Sequence, residues 1–135
     1  MSAGILSVLS AFLLSLSFSS FNLGIFAWVG FLPLFIALEK KSLLLSFAIS
    51  YFCGVVFWSF TIYWLVHVTL LGTIILILYL ALYFGFFGFF LLTLNAQRPI
   101  LNLFFIPSAW VLLEYLRSYL FTGFPWAVLG LSQYK

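Results

Sequence analysis

The chain has 135 residues, is 67% hydrophobic and 5% charged, carries a net charge of +3 and contains no Asp. A soluble domain averages about a quarter charged residues, so this chain cannot coat a water-facing globule and reads as an integral membrane protein. The positive charges are few and scattered, which excludes a nucleic-acid surface. The single cysteine, Cys53, excludes an intramolecular disulfide, and no Cys/His cluster has metal-ligand spacing or implies a cofactor.

The apolar segments are continuous runs without the period-two alternation of lipid-facing strands, so an all-α bundle of about five transmembrane helices is expected, not a barrel. The first helix spans 4–21, where Ser7, Ala11, Ser15 and Ser19 recur every four residues as a stripe of small side chains that admits a neighbour. A cleavable signal peptide competes with this reading, but no Lys or Arg precedes the apolar run. The second segment, 23–38, is interrupted by Gly30 and Pro33 and is short of the roughly 20 residues a full crossing needs. Glu39-Lys40-Lys41 ends it in a water-facing loop, and the two lysines favour the cytoplasmic side.

The third helix spans 42–66, with Ser46, Ser50 and Gly54 as a second small face. Its far end carries Trp58, Tyr63 and Trp64, rings that prefer the membrane interface, and His67 follows as an interfacial hydrogen-bonding residue. The fourth helix, 73–94, presents Ala81, Gly85 and Gly88 as a narrow face among phenylalanines. A polar loop at 95–99 places Arg98 with the lysines. The fifth helix covers 100–121, and Pro107 either kinks it or marks its true start.

From Ile100 to Arg117 is about 26 Å of helix at the usual rise per residue. Arg117 therefore reaches toward the opposite headgroups, and Glu114 lies one turn deeper. The i, i+3 spacing puts both on one face, close enough to pair. A lone charge at a bilayer centre costs roughly 2.5–3.5 kcal/mol, which pairing and snorkelling of the arginine stem both reduce. One reading is an ion pair that fixes depth and rotation. The sharper one is a pair that orients a lipid or a neighbouring catalytic domain. The helix then breaks at Gly123 and Pro125, opening a non-helical stretch over 122–135. With a cytoplasmic N-terminus, five crossings put Lys40, Lys41 and Arg98 inside, and His67 and the break outside.

Glu114-x-x-Arg117, Thr122-Gly123-Phe124-Pro125-Trp126, Leu129-Gly130 and Ser132-Gln133 together resemble the end of a mid-chain helix in the apolipoprotein N-acyltransferases. Tyr63-Trp64-x-x-His67 resembles the end of that family's third helix, a less specific match. The resemblance implies a bacterial inner-membrane enzyme embedded in the phospholipid bilayer. It implies a phospholipid acyl donor, an apolipoprotein acceptor with an N-terminal diacylglyceryl-cysteine, and a nitrilase-like catalytic domain with a Glu-Lys-Cys triad on the periplasmic side. No residue here matches that triad. Cys53 sits mid-helix among apolar neighbours, and Glu39, Lys40 and Lys41 occupy a cytoplasmic loop. The rim candidates are Trp64, His67, Glu114, Arg117, Gly123, Phe124, Pro125 and Trp126. Because the catalytic domain is missing, an N-terminal fragment inactive by itself is expected.

Two other functions compete. A small transporter or channel subunit would line a polar path with Glu114 and Arg117, but the sequence offers no second intramembrane charge and no matched pair of interrupted segments. A non-catalytic membrane scaffold or gene remnant would also lack reaction machinery.

Overall fold

The computed structural model describes residues 2–18, 23–94 and 99–133, and no strand occurs among them. Six helices follow in order: α1 (Ala3–Ser17), α2 (Phe26–Val29), α3 (Leu32–Leu38), α4 (Leu43–Thr61), α5 (Leu70–Thr93) and α6 (Pro99–Tyr119). Tight 3-10 turns occupy Tyr63–His67, Leu120–Thr122 and Leu129–Gln133. α4, α5 and α6 are long and apolar enough to cross a bilayer, whereas α1 and the α2–α3 pair are shorter apolar helices.

Side-chain caps set three of the helix starts. Ser2 accepts from the Ile5 amide, Ser42 from Leu45 and Thr69 from Gly72, at 3.4, 3.4 and 3.3 Å. Each supplies an acceptor for an amide that has no partner within its helix. The Thr69 cap starts α5 three residues earlier than the apolar pattern suggests. Pro33 lies in the first turn of α3, and its missing N–H ends the α2 ladder, so the second segment is two short helices joined through Gly30 and Phe31. Ser10 Oγ in α1 donates to the Gly30 carbonyl at 2.5 Å and ties the break to the bundle.

The third helix is shorter than expected. α4 stops at Thr61 because Ile62 leaves helical geometry (φ −116°, ψ 20°), and its side chain is buried while the chain tightens into the 3-10 turn. The fifth helix, by contrast, runs unbroken through Pro107. The loop at 95–98, with Arg98, lies outside the described residues, as do the end of the first expected helix at 19–21 and Asn22.

The core forms where small residues let backbones approach. Gly54 and Ala81 face each other across α4 and α5, and a Cβ on Gly54 would stand 2.8 Å from Phe84 Cβ. Gly85 abuts the Phe47 ring, and Gly88 lies against the Ser50 hydroxyl and the Ser46 carbonyl. These contacts run antiparallel. On the other side of α4, Phe12 meets Phe60 and Phe18 meets Phe57, and α1 runs in the same sense as α4 because both start at the end that holds Lys40 and Lys41. The buried face of α1 is Ser7, Ser10, Ala11, Leu14 and Ser17, not the strict four-residue series. A repeat of four drifts about 40° per step around a 3.6-residue helix, and Ser15 accordingly rotates away and bonds its own Ala11 carbonyl.

α6 packs against α5 antiparallel, with Trp110 against Phe84 and Phe87 and Phe121 against Tyr79. Much of its outer face is bare, including Phe104 and Val111. The start of α1 and the end of α3 meet at one end of the bundle beside Lys40 and Lys41. The opposite end gathers Gly24, Trp64 and the residues after α6.

Candidate functional site: a buried carboxylate and guanidinium under a return segment

α6 is regular up to Tyr119 and then reverses. Phe121 (φ 49°), Gly123 (φ 77°) and Ala127 (φ 52°) all take left-handed backbone, and these three positions turn the chain back over the end of the bundle. The Gly123 amide donates to the Leu120 carbonyl at 2.9 Å, and the Phe124 amide donates to the Arg117 carbonyl at 3.0 Å. Two carbonyls of the last helical turns thus find donors after the helix has ended. A Cβ on Gly123 would run into the Ser118 carbonyl, so only glycine fits there.

The return segment is fastened to the part of the chain before α6 at three points. The Trp126 ring stacks on Trp64, with centroids 5.2 Å apart and planes 25° apart. The Phe124 ring meets Trp58 edge-on at 5.7 Å. Gln133 closes the far end: its Nε2 donates to the Gly24 carbonyl at 2.7 Å, and its Oε1 accepts from Trp28 Nε1 at 3.0 Å.

Glu114 and Arg117 lie beneath this segment, only 8% and 4% exposed. They interact electrostatically, but each has a further partner. Glu114 Oε1 accepts the Leu129 amide of the return segment at 2.7 Å. The Arg117 guanidinium carbon sits 4.8 Å from the centroid of the Trp58 ring, a cation–π geometry that gains strength away from water. Arg117 Nε and Nη2 form no hydrogen bond, so neither reaches the Glu114 carboxylate. The local i, i+3 pair anticipated from spacing is therefore a three-part cluster: the acid holds the return segment, and the base covers an indole on α4.

Trp58 is a correction. Its position near the end of α4 suggests an interfacial ring, yet it is 1% exposed and lies under Arg117. Pro125 and Trp126 are exposed, Gly123 and Phe124 are half-buried, and Trp64 is exposed on its outer face. His67 is exposed at the end of its 3-10 turn and lines neither cavity beside Glu114. Sequence reasoning missed Trp58, Trp110, Leu129 and Gln133 as parts of this site. Gln133 and Leu129 belong to the quoted motif, but nothing local links Gln133 to Gly24 and Trp28.

Two spaces border the cluster. A cavity of about 350 Å³ opens between α2, α3, α5, α6 and the 129–133 turn, lined mainly by aromatic and aliphatic groups with Glu114 at its edge. A far smaller space lies between Trp58, Tyr83, Trp110, Glu114 and Arg117. Cys53 is a buried free thiol, and no group of three His, Cys, Asp or Glu residues is gathered for a metal among the described residues.

Residues 10–135 match the apolipoprotein N-acyltransferase N-terminal domain. The chain belongs to that family. It is similar to the apolipoprotein N-acyltransferase of Geobacter metallireducens, 36% identical over 142 residues, covering 97% of this chain and 27% of the relative. The Pasteurella multocida apolipoprotein N-acyltransferase is 33% identical over 139 residues, covering 95% of this chain and 26% of the relative. That of Coxiella burnetii is 43% identical over 70 residues, half of this chain and 14% of the relative. The chain thus spans about a quarter of the length of the first two relatives. Family membership and the three helices of spanning length together mark a membrane protein.

Proposed function

We propose that this chain is the N-terminal membrane domain of an apolipoprotein N-acyltransferase, seated in a bacterial inner membrane with its N-terminus in the cytoplasm. It serves transfer of a phospholipid acyl chain to the N-terminal diacylglyceryl-cysteine of an apolipoprotein. Its contribution is support: it holds a periplasmic catalytic domain at the bilayer surface and supplies no nucleophile of its own. The burial of the Cys53 thiol within the apolar core favours that division of labour.

The observation that carries this reading is the return segment over Glu114 and Arg117. A chain leaving a membrane helix normally frays into water. Here residues 123–133 are fastened to α2, to α4, to α6 and to the 3-10 turn after α4. Such fastening gives a following domain a fixed point of departure at the end of the bundle away from Lys40 and Lys41.

Two experiments test it. In the protein carrying its acyltransferase domain, Arg117→Ala should reduce acylation of a diacylglyceryl lipopeptide at least tenfold or abolish membrane accumulation. Unchanged activity and yield would remove the supporting role. Orientation is read by a membrane-impermeant maleimide on intact cells. Trp126→Cys should label from the periplasm and Lys41→Cys only after lysis; the reverse pattern would refute the topology.

A further inference from the structure

Buried hydrogen-bond donors in folded proteins almost always have partners. Around Arg117, four do not: Arg117 Nε and Nη2, Trp58 Nε1 and Trp110 Nε1 are all buried without one. The side chains that carry them also line one small space, together with Tyr83, Phe84, Leu113 and Glu114. That space has a volume of about 10 Å³, close to the smallest that accommodates a single water molecule.

We infer that this space is a binding site for one ordered water molecule, which accepts from the Arg117 guanidinium and an indole N–H and donates to the Glu114 carboxylate. The chemistry selects water over the alternatives. The wall is rich in donors, so the occupant must accept. It also includes a carboxylate whose bond from Leu129 leaves further acceptor capacity, so the occupant must donate as well. A halide satisfies the first requirement and fails the second, and it is too large for the space. A water meets both with about three hydrogen bonds, the usual number for an internal site. The water then completes what the i, i+3 spacing leaves open, joining acid and base without direct contact while Arg117 remains over Trp58.

The test is water-to-protein cross-relaxation by NMR on the ¹⁵N-labelled full chain in deuterated detergent. The indole protons of Trp58 and Trp110 and the Arg117 Nε proton are read against the exposed Trp28 and Trp126. Long-lived water cross-peaks are expected on Arg117 and at least one of the two buried indoles. They should be lost in Leu113→Phe, which fills the space. Assigned Arg117 and indole protons without water cross-peaks in the unaltered chain would overturn the inference, whether or not the filled variant folds. So would resonances at these positions that move when chloride is exchanged for gluconate, since the occupant would then be an anion.

Discussion

Gly123→Ala is the most direct probe of the return segment. At φ 77° and ψ 140°, residue 123 occupies backbone space open almost only to glycine. Holding a side chain in such a region costs on the order of 1–3 kcal/mol. The added methyl would also run into the Ser118 carbonyl, which is helix backbone and cannot rotate aside. If the segment shifts to relieve this, it loses the Phe124 amide bond to Arg117, worth about 1 kcal/mol net. A combined cost of about 3 kcal/mol raises the open population of residues 120–128 roughly 150-fold at 1.4 kcal/mol per decade. Limited proteolysis in detergent measures this directly, because cleavage through a rapidly opening segment tracks the open fraction. Gly130→Ala is the internal control: a Cβ there meets nothing within 4 Å, and its effect should stay within about 0.5 kcal/mol. Wild-type resistance in Gly123→Ala, or equal loss in both variants, would refute the account of the turn.

Gly88→Ala should loosen α4 from α5 by about 1–3 kcal/mol through overpacking, because the methyl meets the Ser50 side chain and the Ser46 carbonyl. Adding Ser50→Gly should return part of that loss in a denaturation series, and no recovery would place the strain elsewhere. A double-mutant cycle between Trp64→Ala and Trp126→Ala should give a coupling of about 0.5–1.5 kcal/mol, as expected for rings 5.2 Å apart. Additive effects would mean the stack contributes nothing. Gln133→Ala removes the bonds to Gly24 and Trp28 and should cost about 1 kcal/mol and shift the Trp28 indole N–H resonance in a ¹⁵N-correlated NMR spectrum. An unchanged spectrum would show that the clamp is open in solution.

Features that depend on near neighbours were readable from the chain. Long apolar runs announced helices, because a backbone in lipid must satisfy its own hydrogen bonds. The small faces of α4 and α5 were legible for the same reason: Ser46, Ser50 and Gly54, with Ala81, Gly85 and Gly88, recur at helical spacing, and the two sets pack together in the bundle. The spacing of Glu114 and Arg117 placed them on one face. The residues after them carried the family, since a break of glycine, proline and tryptophan behind a charged pair does not follow from hydrophobic composition.

What the sequence by itself determined was thus the solvent, the helical class, the family and the shared face of the two charges. The tertiary structure alone decided their partners. Trp58 looks interfacial until Arg117 is laid across it from α6. The Leu129 amide bonds Glu114 only because three left-handed residues turn the chain back. Gln133 finds Gly24 across 109 positions of sequence. Periodicity reports which side of a helix is buried, not which helix lies opposite. That choice rests on the fit of surfaces far apart in the chain, and no local pattern records it.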